Sequence, residues 1–563
     1  MPDTATSSPL PAQTDVIIAG GGPCGLMLAN ELGRRAITAV LVDPKPGTAF
    51  NPQANATQAR TMEHYRRLGF ADEVRALGMP PDYPTDIAYF TRFAKYELAR
   101  FKLPSAREAR RVVASLSGSW SAAELPHRIS QKFVEQVLRR HAERLPGVSL
   151  HYGWRLLRFT DHGTHVDAEI ERVADGRQQT VRGAYLVGAD GARSLVRRHF
   201  GFHYTGETGV VRDFFGGRMY AIYLRTPRFY DAVGHAPAWM NVTFNADRRA
   251  FMAAVDGGSE FAFHTQLRDH EDETRITQAD ARAMFQAAVG KSVDVEILAV
   301  GTWTAGHALV AERFQQGRVF LGGDAVHLFT PTGGLGYNTA IEDAVNLGWK
   351  LAAAIKGSGS ATLLETYELE RKPLAVRNTA YARGFADSLG TFKAAPELER
   401  DSPAGAAARR VAGEYLDAHA RKEFNIPGIT FGGRYDGSPA IVADGTAPPP
   451  DTPNAYVPTA CPGGRAPHLW LPDGRSLYDT FGFEWTLLRL GREPPAADAF
   501  RAAAADIGMD LTTVNLPLEE ARDLYAADLA LIRPDQIVAW RGNDAESNAA
   551  DIVRAAAGLT LCN

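Results

Sequence analysis

Three acidic residues follow apolar runs in this chain, and each sits where a small-residue turn could hold a ligand. Residues 16–19 lead into Gly20-x-Gly22-x-x-Gly25, and a second apolar run, 38–42, ends in Asp43. "YLVGADGARSLVRRHF" places Asp190 after a third run, and "GRVFLGGDAVHLFTPTGGLGYN" places Asp324 after a fourth. Glycines spaced in this way permit a tight turn and let a pyrophosphate approach the N-terminus of the following helix, while an acid about 20 residues further on takes ribose hydroxyls. The first pattern therefore predicts a dinucleotide site built on Gly20, Gly22, Gly25 and Asp43. It does not by itself choose between FAD and NAD, but an NAD dehydrogenase leaves residues 185–202 and 317–350 without a purpose.

The later turn is denser. Asp324 can accept hydrogen bonds from a ribityl chain or from pyrophosphate-bound waters. The backbone N–H groups of residues 333–337, at a predicted helix start, can hold the electron-rich edge of a bound ring. His327 reads as a hydrogen-bonded cap of the turn rather than a reactive group. No Ser/His/Asp or Cys/His arrangement marks a protein nucleophile.

The order of these motifs resembles the single-component FAD-dependent aromatic hydroxylases, the p-hydroxybenzoate and phenol hydroxylase group, over roughly residues 14–385. The family's Gly-Asp-Ala-x-His, Pro, glycine turn and Asp-Ala-x-Asn-Leu-x-Trp-Lys-Leu fall on Gly323, Asp324, Ala325, His327, Pro331, Gly333, Gly334, Gly336, Asn338, Asp343, Asn346, Leu347, Trp349 and Lys350. The resemblance implies FAD contacts from Arg60, Gln131, Asp190, Asp324, Pro331, Gly334, Leu335, Gly336 and Asn338, with Pro331 beside the reactive edge of the flavin. It implies NADPH or NADH as a transient donor docking near Asp190, O2 as co-substrate, a flavin C4a-hydroperoxide and a homodimer. One departure matters. This chain reads Gln53-Ala54-Asn55 where the phenol hydroxylase branch has Gln-Ala-Asp, so Asn55 can orient a phenol but not deprotonate it, and the base lies elsewhere or is water.

These motifs must be positioned by an α/β scaffold: a Rossmann-type FAD domain over 14–75, 121–204 and 301–385, interrupted at 76–120 and 205–300 by a mixed β-sheet substrate domain. Residues 214–225, 238–247, 250–267 and 293–307 alternate in the manner of strands and are rich in aromatics. Such a sheet suits an aromatic substrate. Candidate pocket residues are Arg218, Tyr220, Trp239, Asn241, Phe263, Trp303 and His307, with Asn55, Tyr220, Asn241 and Pro331 nearest the chemistry. Residues 386–430 read as a helical linker, with a surface helix at 403–411. Residues 431–563 resemble the thioredoxin-like extension of the phenol hydroxylase branch, with 530–542 as one strand. That extension lacks CxxC, and Gly463, Arg465, Pro467 and His468 read as a turn rather than a catalytic cluster.

Composition bounds the partners. The 563 residues suggest two or three domains, and a net charge of −4 gives no basic field for nucleic acid. The first 13 residues read as a loose tail without a signal-like apolar core. No run is long enough to span a membrane. Cys24, Cys461 and Cys562 have neither disulfide nor metal-ligand spacing, which suits a reducing cytoplasm. The combined reading is hydroxylation of a phenolic or related aromatic compound. The alternatives are Baeyer–Villiger insertion or epoxidation of a polyketide or terpenoid on the same scaffold, and a flavoprotein dehydrogenase or non-catalytic flavin-binding regulator.

Overall fold

The structure is a computed structural model that describes residues 9–208, 214–544 and 548–559. Cys562 and the first eight residues lie outside these. Apolar runs with little polar alternation form strands buried on both faces. Gln13–Ala19 pairs in parallel with Ala39–Asp43 and with Gln178–Gly188, and Val148–Tyr152 and Val319–Leu321 extend this parallel array on its two sides. The helices Pro23–Arg34 and Leu335–Lys356 pack together and seal the core. Residues 9–12 differ from the expected tail. Leu10 is buried, its carbonyl accepts from Gln179 Nε2 at 2.8 Å, and the Ala12 carbonyl accepts from the Arg182 N–H. The chain extends the first strand instead of fraying.

The second sheet has seven strands in the order 296–305, 217–225, 260–266, 250–254, 240–243, 87–90 and 97–101. Only the 240–243/87–90 pair is parallel, so the sheet is mixed. Strand Glu296–Ala305 pairs along Gly217–Arg225 throughout, so the expected break at residue 300 falls inside a strand. The helix Gln278–Val289, started by a Thr277/Asp280 capping box, covers one face.

The segment expected as a linker is part of this layer. The helix Ala361–Thr391 runs on past 385, and Pro403–Phe424 lies across Glu97–Phe101, burying Ala412, Leu416 and Ala420 in the same core as the sheet. Its apolar side required a partner, and the edge of the substrate sheet supplies one.

The C-terminal sheet has the order 511–516, 485–490, 529–532, 538–542: a parallel pair crossed by the helix Asp498–Asp506, then an antiparallel hairpin and the helix Ala549–Ala556. This is thioredoxin-like topology without the cysteine pair. Residues 530–542 are a hairpin, not one strand. Pro534 cannot donate to a ladder and Gln536 takes a left-handed φ of 62°, which turns the chain.

Candidate active site

Asp43, Asp190 and Asp324 come together because their strands are neighbours in one parallel array, and a ligand crevice lies beyond the carboxyl ends of such strands. All three line a single cavity of about 1100 Å³, together with Gly20, Gly22, Asn55, Gln131, Pro331, Gly334, Leu335 and Gly336.

The glycines do the work predicted for them where space is short. Gly20 has φ +115°, and a Cβ there would sit 2.1 Å from the Ala189 carbonyl oxygen. A Cβ on Gly25 would lie 1.9 Å from the Gly20 oxygen, so Gly25 packs the helix against the turn and does not itself face the cavity. Gly22 and Gly334 cap Pro23–Arg34 and Leu335–Lys356 with no side-chain cap and no acid in either first turn. Two helix N-termini without side-chain caps therefore face one cavity, a favourable setting for a pyrophosphate and for an electron-rich ring edge; of the 333–337 N–H groups expected to hold that edge, Gly333's is taken by Glu423 Oε1 and Gly334's by the Pro331 carbonyl.

Asp43 accepts from the Gly21 and Lys45 N–H groups at 2.7 and 2.8 Å. Asp190 Oδ2 caps the helix Leu195–His199 through the N–H groups of Leu195 and Val196, while its Oδ1 has no hydrogen-bond partner among the described residues. Asn55 Oδ1 and Trp239 Nε1 are likewise buried without a partner among the described residues, and both residues line the cavity. Orphaned buried polar atoms of this kind call for a ligand. Asp324 is exposed and lines the cavity, while its carboxyl group sits among protein atoms. Burial raises its carboxyl pKa, and the neighbouring His327 partly offsets this. His327 is fully buried, and its Nε2 bonds Asp343 Oδ2 at 2.6 Å. Asp343 also accepts from Arg371 Nε at 2.8 Å and from the Gly323 N–H at 3.1 Å. Burial of Asp343 opposes ionisation, but His327 and Arg371 outweigh it and bring its pKa to about 2. His327 thus reaches the Gly323–Asp324 turn through Asp343, whose carboxylate it shares with the Gly323 N–H.

Besides Gly25, five expected site residues are turned elsewhere. Arg60 is buried away from the cavity, bonding Glu63 at 3.0 Å, Gln536 Oε1 at 2.7 Å and the Asp535 carbonyl at 2.6 Å, so it joins the first domain to the C-terminal one. Asn338 accepts from the Gln58 N–H and donates to the Ala56 and Gly334 carbonyls, bracing the flavin turn from behind. Tyr220, Asn241 and Phe263 lie on the face of the sheet away from the cavity: Tyr220 and Phe263 sit in the core with Phe285, and Asn241 Nδ2 bonds the Tyr230 hydroxyl and the Ala238 carbonyl.

The cavity row lies one residue along. Gly301, Ala221, His264, Phe251, Val242 and Tyr89 are partners across six successive strands, and every one of them lines the cavity. Trp303 lines it too, and its Nε1 donates to His264 Nδ1 at 3.1 Å, which leaves the imidazole proton on Nε2. Burial lowers the His264 pKa to about 4, so this wall is uncharged at neutral pH. Arg218 reaches the cavity mouth, held by Glu273, Thr302 and Thr304, and His307 Nδ1 pairs with Thr208 Oγ1. Sequence reasoning missed His264 through parity, naming its neighbour Phe263; it named no pocket residue near Phe251 and did not pick out the strand that carries Tyr89. It missed Glu423 and Phe424, which also line the cavity, because they enter on the helix taken as a linker.

A parallel nucleotide-binding sheet whose cavity opens onto an apolar second sheet defines a flavoprotein oxygenase architecture. Residues 13–382 match the family described as FAD binding domain, and residues 459–559 match the aromatic-ring hydroxylase C-terminal family. The chain belongs to this family of FAD-dependent aromatic-ring monooxygenases, and its cofactor is FAD. It is 32% identical to the FAD-dependent monooxygenase opdD of Penicillium oxalicum, over 87% of this chain and 96% of the relative. It is 29% identical to the phenol 2-monooxygenase of a Pseudomonas species, over 96% and 91%. A solved structure of RebC with bound 7-carboxy-K252c superposes with a TM-score of 0.87 at 31% identity, covering 98% of this chain and all of that one.

Proposed function

We propose that this monooxygenase hydroxylates a phenolic or polycyclic phenolic compound, with NADPH or NADH as donor. The observation that supports this reading is the continuous apolar wall Ala221–His264–Phe251–Val242, facing Pro331 and the 333–337 turn across one cavity. When bound and reduced, FAD supplies the activation of O2. The chain supplies the rest. The helix N-termini without side-chain caps favour negative charge at the pyrophosphate and the ring edge. The apolar wall excludes water and presses a flat ring against the turn. Asn55 Oδ1 and Trp239 Nε1, an acceptor and a donor without partners among the described residues, orient a hydroxyl-bearing substrate. The named relatives include a phenol 2-monooxygenase and RebC, solved with bound 7-carboxy-K252c. A homodimer is proposed on family grounds.

The test is turnover of the FAD-loaded protein with a panel of mono- and polycyclic phenols under 18O2. Product heavier by one labelled oxygen with its rings intact is expected. Ring expansion would indicate Baeyer–Villiger insertion, and donor oxidation without oxygenated product would indicate an oxidase or dehydrogenase role.

A further inference from the structure

We infer that Glu423, with His419 behind it, is the proton acceptor for the substrate hydroxyl, and that Ser388 and Tyr415 connect this pair to solvent. The inference deepens the proposed phenol hydroxylation and rests on that reading.

Glu423 is the buried carboxylate that the helix Pro403–Phe424 carries into the cavity wall. Its Oε1 accepts from the Gly333 N–H at 2.9 Å, which sets it against the flavin turn, and its Oε2 meets His419 Nε2 at 2.7 Å. Each carboxylate oxygen keeps acceptor capacity for a substrate. The i, i+4 spacing on one helix face makes this pairing possible. His419 Nδ1 lies 3.1 Å from Ser388 Oγ, and Ser388 Oγ lies 3.2 Å from the Tyr415 hydroxyl, which also donates to the Ser388 carbonyl at 2.8 Å. Glu423 and His419 are buried, whereas Ser388 and Tyr415 are half-buried. An unbroken hydrogen-bonded line therefore runs from the cavity wall to the protein's outer layer. It passes through groups that release a proton from one atom as they gain one at another.

Charged and aromatic groups surround this corner. Arg128 is buried with its guanidinium 4.5 Å from the Trp239 ring and 5.8 Å from that of Phe424, both cavity residues, and it supplies positive charge beside the carboxylate. Tyr89 shares the corner from the neighbouring strand. The groups facing Glu423 are thus His419, Arg128 and Tyr89. Asn55, which cannot accept a proton, lines the same cavity, and Glu423 supplies the base that position lacks.

In the step proposed, the substrate O–H bond breaks and its electron pair stays on the phenolate oxygen. The proton bonds to the Glu423 carboxylate. It then passes to His419 as the imidazole releases its other proton to Ser388 Oγ, and from there through Tyr415 to water. One proton leaves the cavity for each hydroxyl ionised, and no redox change accompanies it.

The experiment compares wild type, Glu423→Gln, Ser388→Ala and Tyr415→Phe, all FAD-loaded, for hydroxylated product against pH. Glu423→Gln keeps the acceptor for the Gly333 N–H, so flavin content is expected to hold while product kcat falls about 100-fold with little change in KM. A fluorinated phenol already ionised at the assay pH should restore most of that loss. Ser388→Ala and Tyr415→Phe lie behind the cavity wall and should lower kcat by roughly 3- to 10-fold and weaken its solvent isotope effect. Unchanged kcat in Glu423→Gln, or failure of the acidic phenol to rescue it, overturns the base. Unchanged kcat and isotope effect in Ser388→Ala and Tyr415→Phe overturn the route to solvent. If wild type itself oxygenates no phenol, the substrate reading fails, and that result is distinct from active wild type with an indifferent Glu423→Gln.

Discussion

Gly20 shows how little freedom single positions leave. Its φ of +115° and the 2.1 Å approach of a Cβ to the Ala189 oxygen admit no side chain without moving the backbone of two strands. Gly20→Ala is expected to purify with less than about a tenth of the wild-type FAD, read from the 450 nm absorbance per protein. Asp343 illustrates the opposite case, a residue defined by its partners. Removing its charge in Asp343→Ala takes from the buried Arg371 its fully buried partner, leaving the 3.2 Å pair with the less buried Glu342, and the expected loss of about 3 kcal/mol would appear in chemical denaturation.

The substrate sheet offers a test of parity. Ala221 and Tyr220 are adjacent on one strand, yet Ala221 faces the cavity and Tyr220 the core beneath Gln278–Val289. Ala221→Phe should raise KM for a polycyclic phenol by about 10-fold or more by filling the cavity. Tyr220→Phe, which removes only a hydroxyl on the far face, should leave KM within about two-fold. Steady-state kinetics on the two variants distinguish the assigned register from one slipped by a residue. The helix Pro403–Phe424 carries the same lesson at larger size. Read alone it is an Ala/Arg-rich surface helix, but against the sheet edge it brings Glu423 and Phe424 to the cavity.

Between domains the contacts are charged and buried. Arg465 pairs with Glu63 at 2.5 and 3.0 Å, and Arg533 with Glu370 at 2.7 and 2.9 Å. A domain held in this way is a structural clasp on the flavin half. Breaking one partner with Glu63→Ala should cost about 3–5 kcal/mol and expose the interface to limited proteolysis near residue 460. The buried histidines shape the response of the molecule to acid. Burial lowers the pKa of His127 to about 3, of His264 to about 4 and of His468 to about 3, against an ordinary value of 6.5. Between about pH 6.5 and 4 the unfolded chain binds protons that the folded one refuses, so stability is full above 6.5 and falls as the pH drops through this window. Thermal melts across pH 7 to 4 should show the decline, and His264→Phe should flatten part of it.

The nucleotide-binding half was legible in the sequence because its chemistry is local. Strand, glycine turn, helix and strand-end acid lie within short stretches, so Asp43, Asp190 and Asp324 could be identified before any packing was known. The aromatic strands were legible through period and composition, whereas the thioredoxin-like end was legible only through its resemblance to the phenol hydroxylase branch. Which face of a strand meets the cavity is not a local property. Tyr220, Asn241 and Phe263 are as aromatic or polar as Ala221, Val242 and His264 are suitable, and a one-residue register inverts the whole row. Arg60 met the C-terminal domain instead of the flavin, and Glu423 left the linker for the cavity, through contacts spanning hundreds of residues. Pattern along the chain determined the cofactor and the class of reaction; burial between distant segments decided the pocket, because only packing selects which side chains lose water together.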